Sequence, residues 1–319
     1  MNKLGQGEKF RAYVAWAAVC FFWGTTYLAI KVGVKTLPVA LFSGCRFSIA
    51  GLVLLLLCYI KGYSWPRGRE WWHHGLIGLL LITLSNALLV WSSKWLSSGM
   101  SALLVTTAPF WMAGLELRFG TGARLGFSGL IGIIVGFLGV ALLIGPNLTR
   151  TSFDLHFLYG VVALQVGCFS WCLGSVHSKR YPVSSHPLVG AAAQMLIGGL
   201  LLVVFGSIQG EWKDFYFTSE TALAFLYLVI FGAIIGYGCY IYALDKLPSA
   251  KVSTYAYINP VIAVLLGAFW LHEQLDWRIM LSMIIILSGV ALVKTAHIST
   301  QADKFQPVNS NLEQSLEKS

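Results

Sequence analysis

The chain has 319 residues, of which 57% are hydrophobic and only 11% charged, and its mean hydropathy is +0.72. A soluble domain carries roughly 25% charged residues, so composition excludes an ordinary soluble enzyme or binding module and puts the chain in a bilayer. The net charge of +9 does not point to nucleic acid, because the basic residues scatter over connecting segments and form no patch interleaved with base-stacking aromatics.

Ten apolar runs follow one another, near 12–30, 39–60, 75–93, 97–115, 125–144, 157–176, 188–208, 222–244, 252–271 and 277–293. Each is long enough to cross a hydrocarbon core of roughly 30 Å as a helix. The first follows Lys3, Lys9 and Arg11, as a secretory signal would, but it is longer than a signal core and has no small-x-small cleavage site, so it reads as retained. The connecting segments are too short to hide a soluble catalytic domain. Residues 296–319, rich in Ser, Gln, Asn, Lys and Glu, are expected to lack fixed structure. The six cysteines all fall inside the runs and read as small hydrophobes rather than a disulfide framework. Cys168 and Cys172 have neither His nor carboxylate beside them, so no metal or other cofactor is expected.

With the N-terminus placed in the cytoplasm, fifteen Lys and Arg fall on the inner side and six on the outer side. That is the positive-inside asymmetry. It predicts cytoplasmic termini and a multi-pass protein of the plasma membrane, expected to be a bacterial inner membrane.

The second half of the chain repeats the first. GVALL at 139–143 returns as GVALV at 289–293. At an offset of 148, Trp23 falls on Trp171, Lys31 on Lys179, Arg46 on Gln194 and Gly51 on Gly199; at 151, Trp91 falls on Tyr242 and Pro109 on Pro260. A unit with an odd number of crossings re-enters the membrane from the opposite face when duplicated, and such inverted repeats are characteristic of transporters. The expected fold is therefore an all-α integral membrane protein of ten transmembrane helices in two inverted five-helix repeats. The expected division is a cytoplasmic segment 1–11, repeats 12–146 and 157–295, and a cytoplasmic tail 296–319. Gly132 and Gly136, like Gly232 and Gly236, stand four apart, where small residues let helices approach closely in lipid.

FFWGTTYLAIKVG at 21–33, CRFSIAG at 45–51, TTAPFW at 106–111 and YINPVIAVLLGAFWLHEQL at 257–275, in this order and duplicated, resemble the EamA family of the drug/metabolite transporter superfamily. The resemblance runs from about 12 to 295. It implies a ten-helix exporter of small metabolites, amino acids among them, with a cavity between the inner spans of both halves. The alternatives are a membrane-embedded enzyme and a non-transporting sensor. No convergent set of acids, histidines or nucleophiles is found on one membrane face, so no enzyme is expected, and the short tail is a poor output domain for a sensor. Members of that family carry a Gly-Glu pair after the fourth and ninth spans. Here the second half has His272-Glu273, while LELRFGTGARL in the first half has no acid at the corresponding place. An acid there would cap a helix start.

Candidate site residues follow from polarity at membrane depth. Pro109 and Pro260, near the middle of matched spans, each remove a backbone donor, and paired interruptions point to a transporter's binding site. They are the candidate kinks. Thr106 and Thr107 precede the first, and Tyr255 and Asn259 precede the second. Asn86 matches Tyr237, with Tyr240 on the same span, and interhelical hydrogen bonding alone would also account for Asn86. Trp23, Trp171 and Trp111 could offer aromatic faces to an apolar or cationic group, or simply pack. Arg46 is the one charged side chain well inside a span, where charge costs a few kcal/mol on insertion scales; it should snorkel, pair with a carbonyl, or meet a substrate carboxylate. No Asp or Glu lies deep in a span, so no proton relay is indicated. His73 and His74, beside Trp72, read as interfacial decoration, and Trp65, Trp71, Trp72 and Trp277 as interfacial anchors. The partners expected are the lipid bilayer and a small-molecule substrate, with pairing to a second copy left open.

Overall fold

The computed structural model describes residues 6–119, 127–148, 155–247, 249–252 and 254–304, and all regular structure among them is helical. Seven helices are long and apolar enough to cross a membrane, and Tyr255–Leu271 and Trp277–Val293 are shorter apolar helices. The expected fourth span does not count by length because it is broken: α5 (Ser98–Val105) and α6 (Ala108–Phe119) meet at Thr106 and Thr107. Each piece covers less than about 20 Å at 1.5 Å per residue.

In chain order the first half comprises α1 (Gln6–Gly33), α2 (Val39–Ile60), α3 (Glu70–Gly78) running through a π-helical segment (Leu79–Asn86) into α4 (Ala87–Ser92), then α5, α6 and α7 (Phe127–Leu148). The second half comprises α8 (Leu155–Arg180), α9 (Pro187–Ile208), α10 (Ser219–Tyr227) running through a second π segment (Leu228–Ile235) into α11 (Gly236–Lys246), then α12 (Ser249–Val252), α13 (Tyr255–Leu271) and α14 (Trp277–Lys304). Extended π turns are rare and widen the helix, freeing backbone carbonyls. Both are met from the other half of the chain: Ser170 Oγ of α8 donates to Leu80 O (2.8 Å), and Trp23 Nε1 of α1 donates to Gly232 O (3.0 Å).

The most extensive helix contacts are α2 with α9 and α7 with α14. Both seams bring backbones together. A Cβ on Gly199 would lie 2.6 Å from Ser48 N, and one on Gly289 would lie 2.5 Å from Gly136 N. Small residues serve here because lipid supplies no hydrophobic force between helices, so close van der Waals contact must. Outward faces are apolar, with Leu56 and Ile208 58% and 79% exposed, as a lipid-facing surface requires.

Two sequence expectations change. α14 continues to Lys304, into the segment expected to lack structure, because neither Gly nor Pro follows Gly289 before Pro307 to stop it; residues 305–319 lie outside the described residues. His74 does not decorate the interface but is buried, with Nε2 3.1 Å from Ser185 Oγ and Nδ1 3.3 Å from Gln194 Nε2. Successive helical residues point about 100° apart, so His73 alone turns to the rim, where it meets His177 (3.1 Å) and stacks on Tyr181.

Candidate functional site

A cavity of about 550 Å³ lies inside the helix assembly, walled by α1, α2, both π segments, α5, α6, α8, α11, α13 and α14. α1 offers one face to it, since Trp23, Thr26, Tyr27 and Ile30 stand at i, i+3, i+4 and i+7. Ten of the thirteen candidate residues line it: Trp23, Arg46, Asn86, Thr106, Pro109, Trp171, Tyr237, Tyr255, Asn259 and Pro260. No Asp or Glu is among the lining residues.

Arg46 is 3% exposed. It does not snorkel to the rim: Nη2 donates to Asn86 Oδ1 (2.6 Å), and the guanidinium lies 4.4 Å from the centroid of the Phe47 ring and 5.6 Å from that of Phe42. Nε has no hydrogen-bond partner. Among the described residues no carboxylate comes within ion-pair distance of it. Gln194, its counterpart by the repeat, sits outside the cavity against His74.

Across the cavity the aromatic residues collect around Trp23, whose ring lies 5.4, 5.1 and 5.0 Å from those of Tyr237, Tyr240 and Tyr255. Gly236 leaves the room, because a Cβ there would stand 2.5 Å from Trp23 Nε1. Tyr240 backs this cluster without lining the cavity. Asn259, with its amide nitrogen turned to Cys20 O (2.9 Å) and Tyr255 O (3.0 Å), ties α13 to α1.

The helix interruptions precede the prolines. Pro109 stands in the first turn of α6, where its missing N–H costs little, and Pro260 lies inside α13. The breaks themselves are satisfied by threonine: Thr106 and Thr107 donate to the carbonyls of Leu103 (2.5 Å) and Leu104 (2.7 Å), and Thr254 donates to that of Lys251 (2.7 Å). Thr107 and Trp111 turn away from the cavity toward one acceptor, Gln165 Oε1 on α8, at 2.9 and 3.0 Å, with the single Thr107 hydroxyl proton shared between that oxygen and Leu104 O. Gln165 was not among the sequence candidates, although the rule that singled out Asn86, a polar side chain inside a span, applies to it equally. Tyr27, Ser85 and Lys179 also line the cavity without having been singled out.

The two ends of the cavity differ. It reaches Lys179 in the last turn of α8 and Val293 in the middle of α14, and stops at Ile30 and Ala102. Just beyond Ile30, Lys31 Nζ donates to Ser93 O (2.6 Å) and Leu96 O (2.8 Å) after α4. Close by, Glu273 accepts from Ser98 N (2.7 Å), Ser98 Oγ (2.9 Å) and Gly99 N (3.3 Å), capping the start of α5. An acid at a helix N-terminus and a cation at a C-terminus each complement the backbone dipole. His272, where the family resemblance implies Gly, has φ 53°, a left-handed conformation that Gly adopts without steric cost. The matching place in the first half lies outside the described residues.

The model of the EamA-like transporter family matches residues 10–145 and again 158–295. The chain belongs to that family. The resemblance read from the motifs therefore holds, and with it the assignment to the drug/metabolite transporter superfamily and to membrane transport. Among EamA-like relatives, the "Uncharacterized inner membrane transporter YedA" of Escherichia coli (strain K12) is 32% identical over 278 residues, covering 86% of this chain and 88% of its own. An "Uncharacterized transporter" of Archaeoglobus fulgidus is 27% identical over 284 residues, 88% of this chain and 96% of its own. A solved structure described as "Crystal structure of protein" shares the fold, with a TM-score of 0.64 at 20% identity, covering 88% of this chain and 95% of that one.

Proposed function

We propose that this EamA-family chain is a ten-span exporter of small metabolites, such as amino acids or amphipathic compounds, working by alternating access around its central cavity. It sits in a plasma membrane of bacterial inner-membrane type, with both termini cytoplasmic. One observation carries the reading: a cavity lined from both halves of the chain is bordered by two interrupted or kinked helices and two π segments, and is tied shut beyond Ile30. Ten spans are consistent with counting the α5/α6 and α12/α13 pairs as broken crossings. Two inverted repeats are supported by the double match of one family model and by the π segments starting 149 positions apart, at Leu79 and Leu228. On the positive-inside orientation, the tied end at Lys31 is outer and the end at Lys179 is inner, which supports an inward-facing reading.

The test is transport. Purified protein in liposomes should move at least one amino acid or amphipathic metabolite, and Asn86→Ala, Tyr237→Ala or Asn259→Ala should lower the rate at least tenfold without lowering the amount of folded protein. If no member of a broad panel moves, and the same substitutions leave cellular export unchanged, the reading fails.

A further inference from the structure

Resting on that transport reading and deepening it, we propose that the cavity selects organic monoanions: a carboxylate seated on Arg46 and Asn86, with the apolar body of the same molecule against the aromatic cluster around Trp23.

The guanidinium carries five donors, yet Nη2 is its one nitrogen hydrogen-bonded to protein among the described residues, and Nε is buried with no partner. A buried cation without a counter-ion is costly unless something pairs with it. Every protein group placed around it is neutral: Asn86 accepts one hydrogen bond, and Phe42 and Phe47 offer ring faces. A structural arginine in this position would be expected to have an acid beside it. Here the pairing position faces the cavity, since Arg46 itself lines it. Carboxylates match guanidinium in geometry and give the strongest of its hydrogen bonds.

The remainder of the wall settles what the rest of the ligand is. With no Asp or Glu among the described lining residues, and with the Arg46 guanidinium on the wall, an ammonium would find no carboxylate there and one like charge. Aromatic faces do attract cations, at roughly 0.5–2 kcal/mol, but the same rings bury apolar surface, and the guanidinium on the wall opposes a positive group. A volume of about 550 Å³ falls within the roughly 300–1,000 Å³ of pockets that enclose drug-sized ligands. Charge and shape therefore favour an anion with an apolar body over a zwitterion, and a zwitterion over a cation.

Binding and flux are measured separately on the full chain. Tryptophan fluorescence of detergent-purified protein is titrated with 3-phenylpropionate, 3-phenylpropanamide, phenylalanine and phenethylamine. The carboxylate should bind at least tenfold more tightly than the amide, with phenylalanine between and the amine weakest. Arg46→Gln should erase the difference between carboxylate and amide. Because Arg46→Gln also removes a packed side chain, Asn86→Asp provides a second arm: it supplies an internal counter-ion, should keep the melting temperature at or above the parent's, and should cost at least tenfold in carboxylate affinity while sparing the amide. The proposal is overturned if the amide or the amine binds as tightly as the carboxylate, if none of the four binds, or if well-folded Asn86→Asp keeps the parental preference. Carboxylate preference in binding, with no flux of any of the four in liposomes, would uphold the anion site and count against transport.

Discussion

His272 holds a left-handed backbone at the end of α13 (φ 53°), a conformation that costs a residue with a Cβ roughly 1–2 kcal/mol. Glycine removes that cost but adds chain entropy to the unfolded state. His272→Gly should therefore stabilise the protein by a net of about 0.5–1 kcal/mol, read as a higher melting temperature in detergent; a lower one would show that the His side chain contributes more than its backbone costs. One residue on, Glu273→Gln keeps the shape of the α5 cap and removes its charge, and should cost on the order of 1 kcal/mol by the same measurement. Single residues were legible in the sequence where chemistry alone made them unusual, as with Arg46, Asn86 and the aromatic residues near Trp23. They were illegible where a partner far along the chain decides their direction. Thr107 and Trp111 face away because Gln165 lies 58 and 54 positions further on, and no local pattern announces that.

At the scale of elements, the π segments explain how Asn86 and Tyr237 come to face the cavity. Each follows or ends a widened turn, so the helix beyond it is rotated relative to a continuous α-helix. Deleting Ile82 should return the first segment toward α-helical register and swing one side of the break by about 100° relative to the other. Transport should then fall to background while the protein still purifies as a folded species, and a re-inserted Ala one turn away should restore part of it. Activity untouched by the deletion would count against any role for the bulge. Hydrophobic periodicity marks the length of such a helix but not its local winding, because Leu, Ile and Val fill α and π turns alike. The broken helices were half legible: proline flagged the right stretches, but the breaks fall at Thr106–Thr107 and just before Tyr255, where threonine hydroxyls take up freed carbonyls.

Over the whole molecule, the Lys31 and Glu273 contacts hold closed the end of the cavity beyond Ile30. Removing both should shift the population toward the opposite state. With Ala102→Cys placed on a background without other cysteines, a membrane-impermeant maleimide added from outside should label slowly. Adding Lys31→Met and Glu273→Gln should accelerate that labelling at least fivefold, since Ala102 is buried just inside the tie. Unchanged labelling would mean that other contacts hold the gate. The all-helical membrane fold was legible from composition and run lengths, since a bilayer permits few alternatives; which end is closed was not, because it depends on contacts between residues up to 175 positions apart.

The seam between α2 and α9 has a consequence for how the two halves can change. Gly51 on one helix and Gly199 on the other each press on the opposite backbone, 2.5 Å from Leu196 N and 2.6 Å from Ser48 N for an added Cβ. Any side chain added at either position is resisted by the partner helix, so neither helix is free to change there alone. Arg46, on the same helix as Gly51, and Gln194, on the same helix as Gly199, face different surroundings and are not bound in this way. The joint ties the two helices to one another, and one turn or so away the walls are at liberty to acquire separate trades.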